Sequence, residues 1–170
     1  DKKARFLQKL VVSIVKPIYV ADAYFVAQEV NRLMPLANPF VIPNGVDTNK
    51  FKPATTCKKE LIAQAGLPSD MKFIGCAARL EAIKSHDVLI KAIQQLPSNV
   101  ALLLAGTGSL QAQLQELVCT LGLEQRVFFL GHVENMSSFY SLLDVFCLSS
   151  SNEGLPLSPM EAQACGVPAV

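Results

Sequence analysis

From residue 70 onward, the apolar residues of the chain fall into short continuous runs separated by amphipathic segments. The runs predict buried strands over residues 73–78, 100–105 and 127–130, a fourth ending at Cys147 or Leu148, and a fifth beginning at Val167. The segments between them predict helices over residues 87–96, 110–121 and 138–143, and one from Pro159 onward. Buried strands that alternate with helices indicate a parallel sheet covered on both faces, and right-handed crossovers make it a doubly wound, Rossmann-like α/β fold.

The N-terminal part of the chain carries a different pattern. Apolar residues recur at helical spacing over residues 1–15, with Lys and Arg among them, and Pro17 ends this segment. A short strand is expected over residues 18–21 and a second helix over residues 22–34. A basic amphipathic helix either packs against a protein face or lies on an anionic membrane. Packing is the preferred interpretation, because apolar stripes at this spacing usually face a core.

Composition narrows the classes of function. Apolar residues make up 51% of the chain and charged residues 17%, so either the core is large or a normally covered apolar face is exposed. A net charge of +1 and the absence of Trp give no support for nucleic-acid binding. The five cysteines have neither metal-clip nor redox-pair spacing, which favours free thiols in a reducing compartment such as the cytoplasm. Charged residues interrupt the apolar region over residues 6–30, so neither a membrane span nor a signal peptide is predicted.

Chemically active residues gather where the predicted strands end. Arg79 and Lys84 follow the first strand, Gly106 and Gly108 follow the second, Val133 follows the third and Glu153 follows the fourth. In a doubly wound sheet, ligands bind beyond the carboxyl ends of the strands, so these residues are expected at one site. Two cations that converge there can neutralise a diphosphate, whereas an exposed surface pair is the alternative.

The glycine-containing turn at Gly106-Thr107-Gly108 follows a strand and opens a helix, as a dinucleotide-binding fingerprint does. Gln111 stands where the third glycine of that fingerprint belongs, and no acidic residue stands where a ribose partner is expected. Nicotinamide binding is therefore disfavoured. A tight turn in which Ser109 caps the next helix explains the same residues.

Two carboxylates, Glu153 and Glu161, bracket a turn that leads into the last helix. Ser158 suits the N-cap of that helix, Pro159 its first turn, and Glu161 the acid of a capping box. A helix N-terminus after such a turn favours a phosphate, while flanking carboxylates suit the hydroxyls of a sugar and a ribose. The combination indicates a nucleotide-sugar site. Glu161 has two open interpretations, ribose binding and helix capping, and Glu153 has no capping role to explain it.

Six separate motifs follow one another along the chain: Ile42-Pro43-Asn44-Gly45-Val46-Asp47, Ala78-Arg79-Leu80 with Lys84, Leu104-Ala105-Gly106-Thr107-Gly108, Gly131-His132-Val133, Asp144-Val145-Phe146, and the Glu-x7-Glu segment from Glu153 to Glu161. In this order and spacing, the sequence resembles the group 1 glycosyltransferases of the GT-B fold over roughly residues 40–170. Ala78 and Ser85 replace two glycines of the family pattern, and the geometry of the turn after Lys84 is therefore not predicted.

The resemblance implies a retaining, hexosyltransferase-type enzyme that moves a sugar from a nucleoside diphosphate to an acceptor hydroxyl without a metal or other cofactor. It implies that residues 1–42 are the tail of an N-terminal acceptor domain and a linker, and that residues 43–170 are a nucleotide-sugar-binding domain truncated at its C-terminus. Without the missing N-terminal acceptor domain, this fragment is expected to be inactive. The full-length enzyme is expected in the cytoplasm, with peripheral membrane association as an alternative. The implied catalytic residues are Arg79, Lys84 and Glu153, and the implied donor-binding residues are Glu161, Gly154, Leu155, Pro156, Leu157, Gly106, Gly108 and Val133.

Two other classes of function remain open from the sequence. One is a non-catalytic module that binds a sugar nucleotide, and the other is a nucleotide-sugar epimerase with the GT-B fold. The four residues Arg79, Lys84, Glu153 and Glu161 together favour the glycosyltransferase.

Overall fold

The computed structural model describes residues 10–15, 17–35 and 37–170, which form two compact units. The first unit contains the described residues up to Gly45 together with Gly154–Pro156. The second contains Val46–Glu153 and Leu157–Val170. The domain boundary expected between residues 42 and 43 stays a prediction about the full-length protein.

The first unit is a small parallel α/β element. Residues 10–15 form helix α1, strand β1 (Val20–Ala21) pairs in parallel with β2 (Phe40–Val41), and helix α2 (Tyr24–Leu33) lies between them in the chain. The predicted strand and second helix are confirmed, with ends that differ by at most two residues, whereas β2 was not predicted. Residues 1–9 of the predicted first helix lie outside the described residues.

Apolar side chains of this first unit are widely exposed. Ile14 is 72% exposed, Ile18 79%, Tyr24 75% and Phe40 66%. These values agree with the expectation that the chain exposes an apolar face.

The second unit is built on a four-stranded parallel sheet in the order β5-β4-β3-β6. Parallel pairing with intervening helices confirms the doubly wound α/β fold. The strands are β3 (Lys72–Ala77), β4 (Val100–Ala105), β5 (Val127–Gly131) and β6 (Val145–Phe146). The helices are α3 (Lys58–Gln64), α4 (His86–Gln94), α5 (Gln111–Thr120), α6 (Met136–Ser141) and α7 (Leu157–Ala164), with a short 3-10 turn at Ala82–Lys84.

The sheet is buried on both faces, which explains its continuous apolar strands. Along β4, Leu103 contributes to the core cluster that includes residues of α3, α6 and α7. Its neighbours Leu102 and Leu104 contribute to the opposite cluster with residues of α4 and α5. Successive side chains of a strand point to opposite faces, so an unbroken apolar run serves two cores at once.

Several predicted boundaries were wrong in detail. Helix α7 begins at Leu157, two residues before Pro159, and α6 begins at Met136, where the Asn135 side chain accepts a hydrogen bond from the Ser138 amide. The fifth strand expected at Val167 is a single parallel bridge between Phe146 and Ala169. Helix α3 was not predicted, because only two of its seven residues are buried and they give little periodic signal.

Candidate functional site

The strand order places a topological switch point between β3 and β6. The chain runs from β3 to β4 and β5 on one side of β3, and then returns to β6 on its other side. In open α/β sheets, ligands bind in the crevice outside the carboxyl ends of the strands at such a point. Lys84 lies in the connection after β3 and Glu153 in the connection after β6, so both flank this crevice.

Lys84 and Glu153 form an ion pair in which Nζ lies 2.5 Å from Oε1. Their side chains are only 18% and 25% exposed, in contrast to the other ion pairs of the described residues, which are more open. One half-buried ion pair thus joins the connections that follow the neighbouring strands β3 and β6. The sequence predicted both residues for the site, and the structure brings them together.

The charge of Lys84 controls the ionisation of Glu153. Partial burial alone would raise the pKa of this carboxyl, because burial disfavours the charged form. The hydrogen bond from Lys84, the nearby Ser150 side chain and the positive charge of Lys84 act in the opposite direction, and the pKa of Glu153 lies below its ordinary value as a result. Glu153 is therefore a carboxylate at neutral pH, able only to accept hydrogen bonds.

The backbone around Lys84 is held by Ser149. The Ser149 hydroxyl lies 2.9 Å from both the Lys84 and the Ser85 carbonyl oxygens, and the Ser151 amide donates to the Ile83 carbonyl at 2.9 Å. Ser85 has a φ of +48°, a left-handed conformation that glycine adopts more readily. The turn after Lys84, whose geometry the sequence did not predict, is thus a tight one with Ser85 in the left-handed position. The serine contacts were not predicted, since nothing in the run Ser149-Ser150-Ser151 distinguishes a bridging hydroxyl from a loop residue.

Arg79 is not brought to the Lys84–Glu153 pair. Its side chain is 73% exposed, and its guanidinium bonds the Glu81 carboxylate at 2.9 Å. The alternative expected for the two cations, that both are exposed at the surface, thus describes Arg79 but not Lys84, which is 18% exposed. Its predicted catalytic role stays a prediction.

Gly106 and Gly108 pack against the backbone of the neighbouring connection after β3. Gly106 has a φ of +136°, and a Cβ there would overlap the Ala78 carbonyl oxygen, while a Cβ on Gly108 would overlap the Leu80 backbone. Backbone hydrogen bonds from Leu80 to Thr107 and from Leu110 to Leu80, each 3.0 Å, join the two connections. These glycines are thus required by close packing of the loops. The predicted capping role of Ser109 is wrong, because the residue before α5 is Leu110 and no side chain caps this helix end.

Glu161 contacts a residue that the sequence did not single out. Its Oε2 accepts a hydrogen bond of 2.6 Å from the Tyr140 hydroxyl. The capping-box interpretation is wrong, because α7 already begins at Leu157 and places Glu161 a turn inside the helix. Tyr140 was missed because it follows Phe139 in a short predicted helix, where an aromatic residue predicts core packing.

The remaining predicted donor-binding residues are distributed over both units. Gly154, Leu155 and Pro156 belong to the first unit, where the Asn44 side-chain amide donates to the Leu155 carbonyl at 2.8 Å. Leu157 is the first residue of α7 and is 45% exposed. Val133 is partly buried and lines a cavity of about 300 Å³ with apolar residues of α3, β5 and α6.

His86, the first residue of α4, is buried without a partner. It is 2% exposed, and neither ring nitrogen makes a hydrogen bond. Burial, together with the charge of Lys84, lowers the pKa of His86, so the imidazole is neutral at physiological pH. It lines a second cavity, of about 320 Å³, together with Glu81, Asp87 and Leu110. The expected helix began one residue later, at residue 87, and the burial of His86 was not predicted.

Among the described residues, no cluster of three or more His, Cys, Asp and Glu side chains is arranged to hold a metal ion. The expectation that the reaction needs no metal stays a prediction. Within the same residues, no helix combines the length and the apolar character needed to cross a membrane.

Comparison with known proteins identifies the family. Residues 58–170 match the family model for glycosyl transferases of group 1. Over 76% of its length, the chain is 36% identical to the lipopolysaccharide core biosynthesis mannosyltransferase LpsB of Rhizobium meliloti, of which it covers 39%. Over the same share it is 36% identical to the D-inositol 3-phosphate glycosyltransferase of Mycolicibacterium smegmatis, of which it covers 31%. The chain thus spans less than half of the length of these relatives.

A solved structure gives the same answer. The crystal structure of Anabaena Alr3699/HepE in complex with UDP and glucose superposes with a TM-score of 0.82 and 27% sequence identity. The match covers 89% of this chain and 43% of that chain. Since the family model matches well over half of the chain, this protein belongs to the group 1 glycosyltransferases and has the α/β fold of a C-terminal-type domain of the GT-B enzymes.

Proposed function

We propose that this chain binds a nucleoside diphosphate sugar and that the full-length enzyme transfers the sugar to an acceptor hydroxyl with retention of configuration. The observation that carries the proposal is the half-buried Lys84–Glu153 pair at the switch point of the sheet. The solved relative HepE is described in complex with UDP and glucose, and also with UDP-glucose, which supports the same class of donor here.

In this proposal Lys84 neutralises the diphosphate. A half-buried ammonium stabilises a developing negative charge more strongly than an exposed ammonium does, because water screens the half-buried charge less. Helix α7 is eight residues long and begins four residues after Glu153, at Leu157. The free amides at its N-terminus would add positive electrostatic potential near Glu153. Negative charge grows on the departing diphosphate, and both groups stabilise it more in the transition state than in the ground state.

Glu153 takes the sugar in this proposal. As a carboxylate it accepts hydrogen bonds from sugar hydroxyls, and the phosphate replaces it as a partner of Lys84. Arg79 joins the diphosphate by leaving Glu81. That exchange costs little, since exposed ion pairs such as Arg79–Glu81 contribute at most about 1 kcal/mol. Glu161 takes a ribose hydroxyl, while Leu157, Gly106, Gly108 and Val133 shape the donor site within the second unit. The donor-binding roles of Gly154, Leu155 and Pro156 stay predictions.

The test is thermal unfolding with UDP, GDP and ADP at millimolar concentration. A nucleoside diphosphate that binds the folded chain raises its melting temperature, and saturation at 100 times the Kd stabilises it by about 2.7 kcal/mol. Lys84→Ala is expected to abolish the shift. Lys91→Ala is the matched control, because Lys91 pairs with Asp87 on the exposed surface of α4. A shift that survives in Lys84→Ala, or the absence of any shift with all three nucleotides, contradicts the proposal.

The two rival classes are separated in the full-length enzyme. A non-catalytic module binds the donor and releases no nucleoside diphosphate with any acceptor, whereas an epimerase changes the sugar or frees it without an acceptor. Nucleoside diphosphate release that depends on an acceptor hydroxyl supports the transferase. A hexose as the transferred sugar, a cytoplasmic location and association with a membrane surface remain part of the proposal for the full-length enzyme.

A further inference from the structure

Tyr140 is a polar residue sealed inside the core of the second unit. It lies on α6 with 0% exposure, and its ring meets three aromatic neighbours edge-on. The ring centroids of Phe139, Phe146 and Phe51 lie 5.6, 5.7 and 6.1 Å away. Edge-to-face contacts of this kind fix the orientation of a ring, so the hydroxyl has one direction available.

That single direction ends on Glu161. The Tyr140 hydroxyl donates to Glu161 Oε2 at 2.6 Å, the length of a strong bond to a charged acceptor. Burial and the neighbouring carboxylate raise the pKa of Tyr140, which keeps the hydroxyl protonated and a donor. The Tyr140 hydroxyl is therefore a hydrogen-bond donor at neutral pH.

The second oxygen of Glu161 is left open. Oε1 has no hydrogen-bond partner among the described residues, and it is not one of the unpartnered atoms sealed from solvent. A glutamate ordinarily loses considerable rotamer freedom when a ligand fixes it. In Glu161, the bond to Tyr140 has restricted that freedom before a ligand arrives, and Oε1 remains available to accept a further hydrogen bond.

We infer that Tyr140 is a positioning residue that holds Glu161 so that its free oxygen accepts a hydrogen bond from a ribose hydroxyl of the bound nucleotide. The inference rests on the proposed function, because it assumes that Glu161 meets the ribose. The alternative is that the bond only ties α6 to α7. The two differ in one respect: a tie between helices affects every ligand alike, whereas positioning affects only ligands that carry the hydroxyl.

The experiment measures the discrimination between ribose and deoxyribose. Calorimetry compares the best-binding of UDP, GDP and ADP with its 2′-deoxy and 3′-deoxy forms, in wild type and in Tyr140→Phe. Wild type is expected to bind the parent nucleotide about tenfold or more tightly than one of the deoxy forms, the effect of a hydrogen bond to a carboxylate. Tyr140→Phe is expected to lose most of this ratio while still binding the deoxy form as wild type does.

The controls separate the inference from the proposed function. If wild type does not discriminate, the ribose role of Glu161 fails. If wild type discriminates and Tyr140→Phe keeps the same ratio, Glu161 meets the ribose without help and the positioning inference is overturned. Val118→Ala is a matched core variant on the opposite face of the sheet, and it is expected to lower stability with no effect on the ratio.

A second variant covers the case in which Tyr140→Phe does not fold. Phe51→Leu keeps the hydroxyl but removes one of the three rings that orient it. A ratio reduced at least twofold supports positioning, and an unchanged ratio overturns it.

Discussion

Replacing Lys84 by Met is expected to reverse the way in which Glu153 contributes to the pH dependence of stability. Met keeps much of the apolar stem and removes the charge. In the wild type, Lys84 depresses the pKa of Glu153 against the opposing effect of partial burial. Without Lys84, burial remains as the larger influence, and the pKa of Glu153 is then expected to lie above its value in the unfolded chain.

The magnitude follows from the burial of the pair. Exposed pairs contribute about 0–1 kcal/mol, and breaking a fully buried pair costs about 3–5 kcal/mol. With side chains 18% and 25% exposed, the Lys84–Glu153 pair lies between these limits. We therefore expect Lys84→Met to lower the free energy of unfolding at neutral pH by about 1–3 kcal/mol.

The sign is set by the two pKa shifts. A depressed pKa in the folded wild type means that the unfolded chain binds more protons, so the contribution of Glu153 is present above the unfolded pKa and is lost as the pH falls through the folded pKa. In Lys84→Met, the raised pKa of Glu153 reverses the sign, so the contribution of Glu153 to stability falls as the pH rises from about 4 to 6. The cost of the substitution should therefore shrink between about pH 6 and pH 4.

The assay is urea unfolding at a series of pH values in that window. Lys91→Met serves as the control, since its pair with Asp87 is exposed and other carboxylates titrate alike in both variants. The expected result is a loss of stability in Lys84→Met that is largest at neutral pH and smallest at acid pH. A loss that is independent of pH would refute the account of Glu153, and a loss no larger than that of Lys91→Met would refute the importance of burial.

Two further predictions follow from the same site. Gly106→Ala places a Cβ against the Ala78 carbonyl oxygen at a positive φ, and it should lower the free energy of unfolding by about 2 kcal/mol or more in urea titrations. Gly45→Ala is the control, because a Cβ there meets open space, and it should stay within about 0.5 kcal/mol of wild type. In the full-length enzyme, Arg79→Ala should lower kcat more than it raises the donor Kd, with stability almost unchanged because the side chain is 73% exposed. Steady-state kinetics and donor calorimetry test the Arg79→Ala prediction. A loss of donor affinity with unchanged kcat would show that Arg79 does not stabilise the transition state.

The fold was largely predictable because both faces of the sheet are buried. Continuous apolar runs such as Val100–Ala105 have few other uses in a chain of this kind, and the observed β4 has the predicted ends. Short elements were not predictable in the same way. Strand β2 has two residues, and α3 has two buried residues, so neither leaves a periodic pattern strong enough to stand out.

The sequence predicted which residues of the candidate site lie at the strand ends. It did not predict which partners their side chains contact. Lys84 and Glu153 could be placed at strand ends from the sequence, because the doubly wound topology fixes where strand ends meet. The direction of a long side chain is not fixed in this way. Arg79 lies only a few residues from Lys84 in the same connection and bonds Glu81, and Glu161 bonds a tyrosine of another helix.

The contacts that were not predicted show that the Lys84 backbone is fixed while the ion pair at the end of its side chain can be replaced. Ser149 fixes the Lys84 backbone through two carbonyl oxygens, so the root of the side chain has a defined position. Among the described residues, the ammonium itself is bound by Glu153 alone, through a contact that a phosphate oxygen could replace without moving the backbone. This partly buried backbone contact and the ion pair at the tip of the side chain keep the lysine paired before a ligand binds, since an unpaired half-buried lysine would be destabilising. In the proposed function, the same exchange would free Glu153 to accept hydrogen bonds when the phosphate binds, and would so couple recognition of the diphosphate to recognition of the sugar.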